Sequence, residues 1–336
     1  MNAYLPHDEN TAGLLVLILF GMVPVGFLIT RLHSLRTARF LAWALVIAGT
    51  AAVERISNRE PAGLRMLVLI VAALWGMKTV VTVESQADGQ ARLTPWQYFV
   101  FAVGWPGMRP ALFARLGRPP LAGAGRLIWF GVQRILAGLV LLALAWWIGS
   151  NDATEVSQEV SRVLATLPLL TGLSLVLHFG LFNVAAGAWR FAGVDTRPLF
   201  RAPLEAKSLT EFWGRRWNLA FSEMTTLGIY RPLLSALGPR GATVAAFAAS
   251  GLLHELAISV PVKAGYGLPT LYFLLHGALV LVERGLERRG RPISRLGWAA
   301  RIWTLGWLAL PLPLLFHVPF LRGVVWPLIG LQVHSE

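Results

Sequence analysis

The sequence predicts an all-α, polytopic integral membrane protein with about eight transmembrane helices and further interfacial or re-entrant helices. Three observations carry that prediction. Of 336 residues, 55% are hydrophobic and only 14% charged, with a mean hydropathy of +0.59, whereas a soluble domain carries about 25% charged residues. Apolar stretches recur at close to the ~20 residues needed to cross a hydrocarbon core of ~30 Å. Fourteen Trp residues suit the headgroup layer, where indole rings collect.

The stretches fall at 12–30, 39–53, 64–83, 127–148, 163–183, 242–261, 268–282 and 298–316. The second and seventh are short, so their ends are open. Segments 96–105 and 318–331 are apolar but not spans. The second of them is broken by Pro319 and Pro327, and both read as interfacial or re-entrant. Residues 1–10 are polar and slightly acidic, without the basic region or cleavage site of a signal peptide, so the first stretch is expected to remain as an anchor.

Orientation follows from Lys and Arg. Segments 30–39, 84–126, 184–240 and 283–301 together hold 22 of the 30 basic residues. The positive-inside rule puts that side in the cytoplasm and the amino terminus outside. The excess of Arg over Lys and the high Ala and Gly content point to a GC-rich bacterial genome, hence to the bacterial inner membrane. The net charge of +13 would suggest nucleic acid in a soluble protein. Here the arginines sit between apolar runs, where orientation and anionic lipid account for them, so membrane lipids are the expected partner and nucleic acid is not. The chain contains no cysteine, which excludes disulfides, thiolate catalysis and Cys-based metal sites.

Two constellations carry chemistry. The first follows a capping box in which Ser208 precedes Glu211 by three residues; it runs Phe212, Trp213, Gly214, Arg215, Arg216, Trp217, Asn218. A continuous helix would align Glu211, Arg215 and Asn218 on one face and Phe212, Arg216 and Leu219 on another. The plain structural reading is an interfacial helix with aromatics in the headgroups and Arg on lipid phosphate. The second is Ser250, Gly251, His254 and Glu255 within an apolar span. Ionisable groups at that depth are costly and mark functional sites, although a lone histidine there also serves as a helix-bridging hydrogen bond. Ser250, Gly251, His254 and Ile258 form one stripe lined by small residues. Other buried polar groups carry less weight: His178 and His276 as possible cavity residues, Arg134 as a partner inside the bundle, Lys78 as a snorkelling side chain.

Taken together, the Trp-rich segment ending in Asn218 and the pair His254, Glu255 resemble the membrane-bound O-acyltransferase superfamily. The run Phe212 to Asn218, Leu253 before His254, and Trp105-Pro106-Gly107-Met108 are similar to its wax synthase-like branch. The resemblance covers 96–320. It implies one membrane domain over 1–336, with amino-terminal spans in 12–95 and an acyltransferase core in 96–320. Within that core lie a cytoplasmic motif loop, 184–241, and a catalytic span, 242–261. It also implies His254 as catalytic residue and Asn218 as its motif partner. The expected reaction is acyl transfer from acyl-CoA, a co-substrate rather than a cofactor, to a hydroxyl acceptor. Asn218 would either steady an oxyanion or orient the imidazole, and sequence leaves both open. Arg215 and Arg216 suit CoA phosphates, while Phe212, Trp213, Trp217, Ser250 and Glu255 complete the expected substrate site. No metal is expected: a His-Glu-x-x-His zinc motif would need a second His at position 258, which is Ile. The rival from another class is a proton-coupled carrier, but no repeated halves with matching broken helices are visible.

Overall fold

A computed structural model describes residues 3–150 and 155–331. Asp152, on the non-cytoplasmic side by charge, lies outside the described residues. Every regular element described is helical. Six helical stretches are long and apolar enough to span: Glu9–Ile29, Leu35–Ser57, Ala62–Ala87, Ala124–Ser150, Val160–Phe191 and Leu219–Val262. Trp298–Leu315 with Val318–Ile329 makes a seventh if that broken pair is one span. The expected eight spans are therefore six or seven by length and composition. The difference is Leu268–Arg288, whose last turns carry Glu283, Arg284, Glu287 and Arg288 and so dilute an otherwise apolar helix.

The described residues divide into two compact units, one of 4–114 and 200–317, the other mainly of 115–150, 155–199 and 318–331. In the larger unit α1 (Glu9–Ile29) begins on Asp8, whose carboxylate accepts from the Asn10 and Thr11 N–H groups. Helix α2 (Leu35–Ser57) begins on Ser34 and is longer than the 15-residue apolar run, because its ends carry Arg36, Arg39, Glu54 and Arg55. With α3 (Ala62–Ala87) these helices bury Leu15, Leu19, Met22, Val53, Val68, Leu69 and Ala72, against which Leu256 and Val260 also pack. Glycines permit the approach: a Cβ on Gly76 would lie 3.0 Å from the Val46 Cα. Helix α4 (Pro95–Gly104) is ten residues long, opened by a complete Thr94/Gln97 capping box with Pro95 in its first turn. It is too short to span, as its sequence predicts.

Lys78 does not snorkel. It is fully buried, donating to the carbonyls of Trp105 at 2.6 Å and Gly107 at 2.5 Å, with its ammonium 3.9 Å from the Phe101 ring centroid. Its role is to hold the Trp105–Met108 turn. A cation taken from water needs such partners, and carbonyls supply them.

The smaller unit packs α5 (Ala124–Ser150) along α6 (Glu155–Ser174), a π-helical turn (Leu175–Leu181) and α7 (Phe182–Phe191). The buried residues of α5 are Ala124, Gly131, Gly138 and Ala145, each seven positions from the next. Gly138 lies on the Gly172 carbonyl, Gly131 on the Gly180 carbonyl and Gly187 on the Ala124 carbonyl. Small residues at such contacts let helices meet by backbone packing, which replaces the hydrophobic force that lipid cannot supply. Arg134 has no acid partner among the described residues; it donates to the Phe130 carbonyl of its own helix at 2.9 Å.

Candidate active site

The segment after Ser208 is not one amphipathic helix. One turn, α8 (Leu209–Glu211), starts on the Ser208 hydroxyl, which accepts from the Glu211 N–H at 3.0 Å. It widens into a π-helical turn (Phe212–Arg216) closed by the Trp217 N–H on the Phe212 carbonyl. Trp217 is then extended, and Asn218 takes the left-handed conformation (φ 42°, ψ 64°) that Asn tolerates better than most residues. The two faces expected of a continuous helix are therefore not formed. The reciprocal half of the capping box is also displaced, since Glu211 accepts from Lys207 N–H rather than from Ser208.

Asn218 caps α9 (Leu219–Thr225), its Oδ1 accepting from the Phe221 N–H at 3.2 Å. No hydrogen bond joins Asn218 to His254 among the described residues. The two are linked through Phe221, whose ring lies 5.3 Å from the imidazole.

A second π-helical turn (Thr226–Tyr230) leads into α10 (Arg231–Val262), which bends at Gly238 (φ 63°, ψ 176°). His254 stands on α10, partly accessible, with Nδ1 2.7 Å from the Ser250 carbonyl. A carbonyl only accepts, so Nδ1 carries the proton and Nε2 presents the lone pair. The ring is gripped by Phe221 and by Phe273 at 4.2 Å. Phe273 belongs to α11 (Leu268–Arg288), and α10 can approach α11 because Gly251 leaves no room for a Cβ, which would lie 2.7 Å from the Thr270 Cα.

Phe221, Ser250 and Phe273 also wall a cavity of about 150 Å³ whose other lining includes Trp213, Phe247 and Arg284. The imidazole lies behind that wall, one helical turn beyond Ser250. Trp213 sets its indole across Phe273 (5.5 Å) and His276 (5.4 Å), with Nε1 buried and unpartnered. His276 is fully buried, its Nδ1 2.8 Å from the Tyr272 carbonyl. It touches the wall of the cavity without lining it. His178 belongs to the other unit and is bonded to Ser174.

Four expected site residues, Glu255, Arg216, Phe212 and Trp217, have structural partners instead. Glu255 accepts from the Gly267 and Thr270 N–H groups, at 2.9 and 3.0 Å. Gly267 precedes α11 and has no side chain, so Glu255 supplies the missing N-cap and complements the helix dipole. Arg216 donates to Glu211 (2.7 Å) and to the Ala202 carbonyl (2.9 Å), with Glu205 at 3.3 Å. It thereby clamps 201–205 onto the motif and leaves Arg215 as the exposed guanidinium. Partial burial pushes the Glu211 carboxyl up, but the Lys207 N–H and Arg216 outweigh it and hold it below the ordinary carboxylate value. That stabilisation is therefore present at neutral pH and lost as the pH falls through the lowered value. Phe212 and Trp217 stack at 5.5 Å, with Phe200 edge-on to Trp217, and form the support beneath the turn rather than the cavity wall.

Glu283 was not singled out by its sequence context. Buried at the end of α11, it accepts from the Leu209 and Thr210 N–H groups and the Thr210 hydroxyl, each at 2.8 Å, and from the Trp303 indole at 3.1 Å. This carboxylate fastens the start of the motif segment to α11. The available signal was an acid directly following an apolar run.

By fold and site the chain is a polytopic α-helical membrane protein that holds an imidazole, as its Nδ1–H tautomer, behind the wall of an aromatic cavity lined by the motif segment, α9, α10 and α11. The Membrane bound O-acyl transferase family pattern matches residues 196–275, which include Trp213, Asn218, Ser250, His254 and Phe273. The chain is 36% identical over 136 residues to a long-chain-alcohol O-fatty-acyltransferase of Simmondsia chinensis, covering 35% of this chain and 39% of that protein. A probable long-chain-alcohol O-fatty-acyltransferase 2 of Arabidopsis thaliana is 33% identical over 178 residues, 48% of this chain and 51% of the relative. An acyl-CoA–sterol O-acyltransferase 1 of the same plant is 28% identical over 144 residues, 40% of this chain and 41% of that protein. The chain thus spans about half or less of the length of these relatives. The wax synthase-like likeness read from the motif pair is the one these relatives show.

Proposed function

We propose that the protein esterifies a hydroxyl acceptor with an acyl group drawn from acyl-CoA, using His254 as general base. The observation that supports this most is the fixed imidazole: the Ser250 carbonyl holds the Nδ1 proton, so Nε2 is the basic atom of a ring that stands behind the cavity wall formed by Phe221, Ser250 and Phe273. In the reaction the acceptor oxygen attacks the thioester carbonyl carbon while Nε2 takes the hydroxyl proton. The tetrahedral intermediate then expels the CoA sulfur, which receives that proton from the imidazolium. Products are an ester and free CoA thiol, with His254 neutral again, and no covalent acyl-enzyme is needed. A positioned base contributes about 10²–10⁴-fold.

Trp213 Nε1–H, unpartnered at the wall, is a donor available to the developing oxyanion. Asn218 acts by setting Phe221 against the imidazole, a positioning role that differs from both direct roles. Relatives named for long-chain alcohols and for a sterol make a lipid-like alcohol the first acceptor to try. The lipid side delivers acceptor and acyl tail, and the donor headgroup stays at the cytoplasmic face, where the basic segments and Arg215 lie. The membrane in question is the inner membrane of a bacterium, with the amino terminus outside. The test is release of CoA thiol by purified protein, screened across acyl length and acceptor. Ester formation dependent on both substrates is expected, and no release from any pair would refute the reading.

A further inference from the structure

Seven arginines form ion pairs among the described residues: Arg39, Arg65, Arg109, Arg190, Arg197, Arg216 and Arg231. Three that lie together do not. Arg240 on α10 and Arg284 and Arg288 on α11 border a groove of about 530 Å³, together with Pro239, Leu281 and Glu287. No ion pair involves any of these four charged groups among the described residues, so the groove keeps three positive charges against one negative. Arg284 uses one nitrogen on the Thr243 hydroxyl, at 2.9 Å, and Arg288 one on the Arg284 carbonyl, at 3.2 Å. The remaining guanidinium edges have no partner among the described residues.

Arg284 also lines the aromatic cavity, and so does Thr243, which it holds. Groove and cavity therefore meet at one side chain. Along α10, Arg240 precedes His254 by fourteen residues, about 21 Å at 1.5 Å per residue. Along α11, Arg284 follows Phe273, which lies on the imidazole, by eleven residues, about 16 Å. Charge thus gathers at one end of the two packed helices and the basic nitrogen lies toward the other. That separation is of the order of an extended pantetheine arm.

We propose that Arg240, Arg284 and Arg288 hold the phosphate groups of the acyl donor, with its pantetheine arm running past Arg284 into the cavity toward His254. This rests on the acyl-CoA reading above and assigns the donor's anionic end to α10 and α11 instead of to the motif pair Arg215 and Arg216. Planar guanidinium forks match phosphate oxygens. A lipid phosphodiester offers the same chemistry, and substrate choice separates the two sources: a headgroup site would not register whether the acyl donor carries phosphate.

The experiment compares the wild type with Arg240→Ala, Arg288→Ala, Arg284→Gln, Arg284→Lys and Arg215→Ala. Each is assayed with an acyl-CoA and with the corresponding acyl-pantetheine thioester, which lacks the phosphates. The KM for acyl-CoA should rise on the order of tenfold for each guanidinium lost, with kcat changed less and Arg284→Lys milder than Arg284→Gln. The wild-type preference for acyl-CoA over acyl-pantetheine should shrink in step. Unchanged acyl-CoA KM in the exposed Arg240→Ala and Arg288→Ala proteins overturns the proposal. So does a rise of equal size for both thioesters, or one confined to Arg215→Ala. If the wild type turns over no thioester, the enzymatic reading has failed, and direct binding of CoA then decides the site: weaker binding in the three groove variants upholds it, and equal binding removes it.

Discussion

At the scale of single residues, the protein separates groups that hold the site from groups that face the reaction. Glu283 is of the first kind. Three of its four hydrogen bonds reach the first turn of the motif segment and the fourth comes from the Trp303 indole, and each bond to a charged group contributes about 1.5–3 kcal/mol. Glu283→Ala strands the Leu209 and Thr210 N–H groups and should destabilise the purified protein by roughly 3 kcal/mol or more. Thermal unfolding in detergent measures this, and a midpoint equal to wild type would contradict it. Trp213 is proposed to be of the second kind. Its buried N–H has no partner, so Trp213→Phe removes an unsatisfied donor and should leave the unfolding midpoint close to wild type. If that donor meets the oxyanion, kcat should fall about tenfold or more. A normal kcat with a lowered midpoint would return Trp213 to packing alone.

Elements explain what the sequence disclosed and what it concealed. The motif pair was legible because an imidazole in an apolar span and a tryptophan-rich turn before it are visible as residue types. The roles of Glu255 and Arg216 were not, since spacing reveals neighbours along a helix and not the Gly267 amide or the Ala202 carbonyl that these side chains reach. The π-helical turn at 212–216 was hidden for a related reason: its five-residue closure has no distinct composition, so a regular 3.6-residue helix was expected in its place. The seven-residue spacing of Gly131 and Gly138 was readable, yet small residues carry no hydropathy signal and only the partner carbonyls give them meaning. Gly251 offers a test at this scale. A methyl there meets the Thr270 backbone, and Gly251→Ala should cost about 1–3 kcal/mol by overpacking while parting α10 from α11. Thermal stability should drop together with kcat, and a fully stable, fully active variant would show that the close approach is dispensable.

For the whole molecule, the orientation proposed from the basic segments would put the ends of α10 and α11 near Arg240 and Arg288 in the cytoplasm and the 263–267 turn on the other side. The absence of cysteine makes this measurable. Cysteines at Ala202 and Arg291, both exposed, should resist an impermeant thiol reagent in intact cells, and one at Tyr266, 61% exposed, should react. The reverse pattern would invert the orientation. Span number was less legible than span existence, because charged helix ends lengthened α2 and diluted α11.

His254 is where these scales meet, since the Ser250 carbonyl of its own helix fixes its tautomer while Phe221 of α9 and Phe273 of α11 hold its ring. Purified, folded His254→Ala protein should bind donor but transfer acyl groups at least about 10²-fold more slowly than wild type. His254→Gln, which keeps polarity but cannot carry the proton at neutral pH, should fail nearly as badly. The decisive measurement is therefore kcat for CoA thiol release with a hydroxyl acceptor, wild type against His254→Ala at matched folded fraction. A loss of that size is the predicted result, and transfer by His254→Ala at near wild-type rate would contradict the account.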